Sequence, residues 1–203
     1  MRRLLLIVMF LLMSQVSKSQ GCLTADVVLI LDWSSSESGN EEKLASAASE
    51  FVSVLDISDI QLRVAVITFC NKTTIVSKLN GDKEDLTTRV SALRLYATGG
   101  GTWITESIET SLAMLNNTRD VSKFIIIISD GAIPDASVAT WYLQSAKSKM
   151  QLQVFAVQIA DPNAVDIEDG FYNLSMLTGD SKKVEVSTIT GLVESLKRLS
   201  LCN

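Results

Sequence analysis

The sequence predicts an α/β fold: a doubly wound, mostly parallel sheet with helices on both faces and one short antiparallel strand at its edge. Three observations carry that expectation. Continuous apolar runs, Val27–Leu31 and Phe124–Ile128 among them, read as strands covered on both faces. Between such runs lie stretches whose apolar residues recur at helical spacing. The two kinds of segment alternate, and right-handed crossovers turn that alternation into a parallel sheet.

The first strand is Val27–Leu31. The helix after it has Ser38 and Glu41 at capping-box spacing, then Leu44, Ala47, Ala48, Phe51, Val52 and Leu55 along one face. Leu62–Phe69 is the second strand, and Asn71-Lys72 turns it into a short antiparallel partner, Thr73–Ser77. A helix spans Asp82–Leu93 and leads to the loop Gly99-Gly100-Gly101. The next helix buries Ile108, Leu112 and Leu115. Phe124–Ile128 is the most apolar strand and is placed centrally. Ala136–Lys149 is helical and Leu152–Ile159 is a strand. A short helix near Phe171–Leu177 precedes a last strand, Val184–Val186. The final helix carries Ile189, Leu192, Val193, Leu196 and Leu199.

Composition fits one domain. The chain has 203 residues, 47% of them hydrophobic, enough to bury roughly 70% of the unfolded surface. Residues 1–19 are expected to be a secretory signal peptide, outside the fold. Met1-Arg2-Arg3 is basic, Leu4–Met13 is a short apolar run, and Ser14–Gln20 is small and polar. Ser17 and Ser19 suit the positions before cleavage. The apolar run is about half of the roughly 20 residues that span a bilayer, and no later run is long enough, so no membrane span is expected. The single domain covers residues 22–202.

Removing the leader takes Arg2, Arg3 and Lys18 from 18 basic residues, leaving 15 against 23 acidic ones and a net charge of −8. An acidic surface gains nothing from phosphate contacts, so nucleic acid is not an expected partner. Cys22 and Cys202 lie at the two ends of the mature chain and read as one disulfide in an oxidising compartment. Cys70 is left over, either as a half-buried thiol at a strand end or as a bridge that makes a dimer. Three sequons, beginning at Asn71, Asn116 and Asn173, fit the secretory route. All three are expected in loops or at element ends.

Ligands of such sheets bind beyond the carboxyl ends of the strands. Three stretches fall there: Asp32-Trp33-Ser34-Ser35-Ser36, Gly99-Gly100-Gly101-Thr102 and Ser129-Asp130-Gly131. Each alone has a plainer reading. An Asp or Ser after a strand caps the next helix, and a glycine loop before a helix makes a turn or cradles phosphate. No Lys follows the glycines, so the phosphate-loop pattern fails. Taken together, the polar side chains are all hard oxygen donors, the kind that Mg²⁺ and Ca²⁺ prefer. Alternation by two places Asp32, Ser34 and Ser36 on one side of an extended loop.

Asp32, Ser34 and Ser36, then Thr102 after a glycine pair, then Asp130 in an S-D-G turn, resemble the metal-site signature of the von Willebrand factor type A family. That family includes the inserted domains of integrins. The resemblance runs from about Ala25 to Leu201. It implies a metal-ion-dependent adhesion site for Mg²⁺, or Mn²⁺ or Ca²⁺. Ser34 and Ser36 would ligate directly, Thr102 and Asp130 directly or through water, and Asp32 would hold waters and the serine hydroxyls. It further implies that a carboxylate of the partner fills the open position. The terminal cysteine pair also resembles an arrangement of secreted members. Two departures stand out. Ser35 replaces the usual Gly, and Trp103-Ile104-Thr105 replaces the usual Asn-Thr-Gly.

Trp33 and Trp103 each adjoin a metal ligand. They either pack on neighbouring loops or form an aromatic rim that desolvates the partner's carboxylate. The leading expectation is a secreted adhesion or recognition module that binds an Asp or Glu of an extracellular protein partner. A structural matrix or mineral-associated protein is the alternative. An enzyme is not expected. The chain has no His, which removes Ser-His and Cys-His catalysis and His-based zinc sites.

Overall fold

The structure, a computed structural model, describes residues 24–117, 119–160 and 167–198. The described strands are β1 (Ala25–Asp32), β2 (Leu62–Phe69), β3 (Thr73–Asn80), β4 (Ser122–Ser129), β5 (Leu152–Ile159) and β6 (Val184–Ser187). They form one sheet in the order β3-β2-β1-β4-β5-β6. Every pairing is parallel except β2 with β3, as the hairpin at Asn71-Lys72 required. β3 runs further than expected. Register shifts on either side of Val66 let it continue until Asn80 faces Val64.

The helices are α1 (Glu41–Val54), α2 (Lys83–Ala92), α3 (Thr105–Leu115), α4 (Ala136–Lys147), α5 (Ile167–Thr178) and α6 (Leu192–Arg198). β1 is buried along its whole length, and its side chains alternate between two cores. Val27, Leu29 and Leu31 meet Leu44, Ala48 and Phe51 of α1, Leu86 and Val90 of α2, and Leu192 and Leu196 of α6. Val28 and Ile30 meet Ile108 and Leu115 of α3, Ala139 and Leu143 of α4, and Leu174 and Leu177 of α5. Each such Leu or Ile removed from water contributes about 1.5–3 kcal/mol.

An ion network closes the amino end of the sheet. Asp26 is fully buried. It accepts hydrogen bonds from Arg63 at 2.8 and 2.9 Å, Arg119 at 2.6 Å, Asn117 at 2.9 Å and Lys123 at 3.2 Å. Burial alone would raise its pKa. The bonds from Arg63, Asn117 and Lys123 outweigh burial and hold the carboxyl well below the usual carboxylate range. The carboxyl end, where β1 and β4 finish side by side, is left to the loops.

Three local expectations are corrected. The Ser38–Glu41 capping box does not form. A 3₁₀ turn at Ser35–Glu37 delays the helix, Asn40 is its N-cap, and Glu41 instead accepts from the Gly39 amide at 2.9 Å and from the Thr98 hydroxyl at 2.9 Å. α4 stops at Lys147 rather than Lys149. α5 begins at Ile167 rather than near Phe171. At Gly170, within this helix, a Cβ would lie 2.4 Å from the Asp130 carbonyl oxygen. The glycine lets the helix pack against the turn after β4. Asn173 therefore lies inside a helix, not at an element end.

The signal peptide, the Cys22–Cys202 pair, Thr118 of the second sequon and Leu199 lie outside the described residues. Among the described residues no helix is long and apolar enough to cross a membrane.

Candidate metal centre

Asp32 ends β1 and is fully buried. Both carboxylate oxygens are taken up by the protein. Oδ1 accepts from the Ser34 amide at 3.0 Å, and Oδ2 accepts from the Ser129 hydroxyl at 2.6 Å. Burial pushes its pKa up to about 6; the bonds from Ser129 and Ser34 oppose that rise, and the charge of Asp130 adds to it. Ser34 is buried as well, and its Oγ lies 3.0 Å from Ser36 Oγ. Two hydroxyls thus sit side by side, above a carboxylate that cannot swing away.

The three loops are stitched to one another. Ser35 donates to the Gly100 carbonyl from its amide at 3.2 Å and from its hydroxyl at 2.8 Å. The Gly99 amide donates to the Trp33 carbonyl at 3.0 Å. These bonds bring the Thr102 loop against the Asp32–Ser36 loop, with Thr102 half-buried. The third loop is fixed by Ser129, which donates to Asp32 and accepts from the Gly131 amide at 3.0 Å. Asp130 is half-buried, and its Oδ1 accepts from the Ala132 amide at 2.9 Å. Gly131 has φ 90°, and a Cβ there would strike the Gly170 backbone at 2.4 Å, so this turn requires glycine.

Of the two tryptophans, only Trp103 is exposed, at 52%. Its ring lies over Gly101, where a Cβ would meet Nε1 at 3.0 Å. The expectation of a rim at Trp33 is corrected. Trp33 is 5% exposed and belongs to the core with Val27, Leu29 and Leu31. Its amide extends the ladder to the Phe69 carbonyl at 2.8 Å, so the period of two carries its side chain inward. Nε1 donates to the Tyr96 carbonyl at 3.2 Å.

Cys70 is half-buried beside this face and forms no disulfide with any described residue. Asn71 is exposed, and its Oδ1 accepts from the Gly101 amide at 2.5 Å. Asn116 is exposed at the end of α3. Asn173 donates from Nδ2, the atom a glycan would use, to the Gly131 carbonyl at 2.9 Å.

The sequence profile of the von Willebrand factor type A domain matches residues 26–194. The chain belongs to the von Willebrand factor type A family. No curated protein is detectably similar in sequence. Solved structures share the fold at low identity. The von Willebrand factor domain of the pilus tip protein Mfa5 of Porphyromonas gingivalis superposes with a TM-score of 0.75 at 12% identity, over 88% of this chain and 94% of that one. Manganese-loaded TRAP of Plasmodium vivax gives 0.68 at 18% identity, over 87% and 73%. Proximal thread matrix protein 1 of the mussel byssus gives 0.70 at 16% identity, over 87% and 45%.

Within this von Willebrand factor A domain, the departures acquire physical roles. Ser35, in place of the usual glycine, supplies the hydroxyl that pins Gly100. Ile104, in place of a hydroxyl residue, is fully buried in the core beneath the loop. Three residues that sequence reasoning did not single out also shape the site. Asp135 receives the amides of Ile104 at 3.1 Å and Thr105 at 2.8 Å, so the β4–α4 loop caps α3. Gln158, on β5, donates to the Asp130 carbonyl at 3.2 Å and the Ile167 carbonyl at 2.9 Å. Glu37 is 2% exposed and has its pKa pushed up to about 7, by burial first and then by the charges of Asp32 and Asp130. The one available signal for Glu37 was an acidic residue directly after the D-x-S-x-S run.

Among the described residues no group of three or more His, Cys, Asp or Glu side chains is suited to a metal. A cation at these loops would therefore rely on hydroxyl donors. The residues fit that demand. Asp32 is immobilised, the Ser34 and Ser36 hydroxyls are adjacent, and every side-chain donor is a hard oxygen.

Proposed function

We propose that the chain is a secreted, metal-dependent adhesion or recognition module that grips an acidic group of an extracellular protein partner. One observation carries this reading: the stitching of the three loops around the Asp32 carboxylate and the paired Ser34 and Ser36 hydroxyls. Ser34, Ser36, Thr102 and Asp130 would hold the ion, and Asp32 would orient the hydroxyls and bound water. When bound, Mg²⁺ (or Mn²⁺ or Ca²⁺) supplies a local positive charge that attracts an anion. The hydroxyl donors are neutral, so they leave that charge less compensated than carboxylates would. The role is binding, not catalysis.

One structure that shares the fold is manganese-loaded, which agrees with this reading, though at 18% identity the likeness itself is one of fold. The matrix alternative has one relative of its own, the byssus matrix protein, but at 16% identity that likeness concerns the fold alone. Replacing Asp130 separates the two. Mg²⁺ or Mn²⁺ is expected to raise the melting temperature of the wild-type domain, because a ligand of the folded state stabilises it. Asp130→Ala is expected to abolish the shift, and to abolish EDTA-sensitive capture of an extracellular partner. An equal shift in Asp130→Ala would remove the metal assignment.

A further inference from the structure

Beside the metal centre lies a cavity of about 540 Å³, walled among the described residues by Glu37, Asp130, Gln158, Asp169, Gly170 and Asn173. On its wall, among the described residues, one buried acceptor has no donor and one buried carboxylate has a single side-chain hydrogen bond. Glu37 is 2% exposed, and its Oε2 receives only the Asn40 side-chain amide at 3.3 Å. No ion pair reaches its carboxylate from the described basic residues. Gln158 is 1% exposed. Its Nε2 is committed to two carbonyl oxygens, Asp130 and Ile167, which accept and cannot donate. That fixes the orientation of the amide and leaves Oε1 as a buried acceptor with no partner.

Buried acceptors without donors are costly, and a buried carboxylate without a cation is more so. Both occur on the wall of one cavity, which also carries the carboxylates of Asp130 and Asp169. The missing group must bring several donors and a positive charge. A bare metal ion does not fit the dimensions. It needs oxygens converging at about 2.0–2.6 Å, which would leave most of a space of this volume empty. A space of this size holds a side chain. The guanidinium has five donors in a fixed plane and accepts nothing, so it can serve Glu37 and Gln158 together.

We propose that this cavity is a second subsite, which takes an arginine side chain of the protein partner next to the carboxylate held at the metal centre. The ownership of that arginine rests on the adhesion reading above, whereas the subsite itself does not need the metal. Asp130 and Glu37 border both sites, so the partner's acidic and basic residues would be close neighbours.

The test uses argininamide as the probe, with its neutral isostere citrullinamide as control, in EDTA. The readout is two-dimensional NMR of the ¹⁵N-labelled mature protein. The expected result is a saturable shift of the Gln158 side-chain amide and of the Gly131 and Gly170 backbone amides by argininamide alone. Glu37→Gln is expected to weaken that binding about tenfold. Asp169→Asn, at the exposed rim, tests the charge without disturbing a buried position and is expected to weaken it about two- to threefold. If Glu37→Gln does not fold, Asp169→Asn and the citrullinamide comparison decide. Equal shifts from citrullinamide, no saturation with argininamide, or unchanged binding in both variants would overturn the proposal. So would Mg²⁺ moving the same amides in Asp130→Ala, which would make the cavity a second metal site. Because the probe is read in EDTA, failure here leaves the melting-temperature test of the metal centre untouched, and the reverse holds.

Discussion

Ser129 Oγ donates a 2.6 Å hydrogen bond to Asp32 Oδ2, joining the ends of β4 and β1. The bond bridges two residues that are both completely buried. Ser129→Ala removes it and leaves one oxygen of a sealed carboxylate unsatisfied, which costs about 1–3 kcal/mol. The urea midpoint is expected to fall by that free energy divided by the slope, with the slope itself unchanged. Asp32 would also lose the group that fixes its orientation, so the Mg²⁺ concentration for half-maximal thermal shift is expected to rise. A variant with wild-type values for both would show that the bond neither stabilises the fold nor positions the site.

The metal-free domain is expected to lose stability as pH rises. Folding raises Glu37 from 4.5 to about 7 and Asp32 from 3.8 to about 6. A carboxyl with a raised folded pKa binds protons more tightly in the native state. Its contribution is fully present below the unfolded pKa and is lost as pH climbs through the folded one. The window is therefore about pH 4 to 7. Asp26 has the opposite sign. Its pKa is held down, so the stability it adds is lost as pH falls below the ordinary value of 3.8. In EDTA the melting temperature should peak near pH 4 and decline toward pH 7. Saturating Mg²⁺ should offset the decline, because it favours the ionised carboxylates. Glu37→Gln should flatten part of it, and a metal-free profile that rises between pH 5 and 8 would contradict the assignment.

Much of this was legible because it depends on near neighbours in sequence. The apolar runs of β1, β2, β4 and β5 announce strands covered on both faces, and Asp32 and Ser34 share a side through the period of two, whereas Ser36 comes beside Ser34 through the 3₁₀ turn at Ser35–Glu37 instead of the expected extended loop. That same period places Trp33 on the side of Val27, Leu29 and Leu31, so its burial was also readable, had the strand been extended by one step. Asp135 shows what was not. In sequence it is the residue before α4 and reads as that helix's cap. Its side chain makes no bond there and instead caps α3, which only the packing of α3 beside α4 permits. Gly170 is illegible for a related reason: its need for a missing Cβ comes from Asp130, on another strand's loop.

Asp135→Ala tests that displaced cap. It strips the Ile104 and Thr105 amides of their acceptor at the first turn of α3, at a cost of about 0.5–2 kcal/mol. The loss lies just after Thr102, so faster hydrogen exchange is expected at Ile104 and Thr105 before any change at the β1 amides. A weaker Mg²⁺ response should accompany it. Exchange that quickens uniformly across the domain would mean that Asp135 supports global stability alone and does not set the Thr102 loop.

The two tryptophans give the sharpest contrast, because they flank the same centre and differ in burial. Trp33→Ala empties a core position and is expected to cost about 3–5 kcal/mol, seen as a large fall in the urea midpoint. Trp103→Ala removes a half-exposed ring from Gly101 and should leave stability within about 0.5 kcal/mol of wild type. It should also leave the Mg²⁺ titration unchanged, since no predicted ligand is lost. Exposed aromatics beside a binding site act by excluding water from the contact they surround. Trp103→Ala is therefore expected to weaken EDTA-sensitive capture of the partner by about tenfold or more. Capture at wild-type strength would show that Trp103 lies outside the recognition surface, and would confine that surface to the ion and the cavity beyond Asp130.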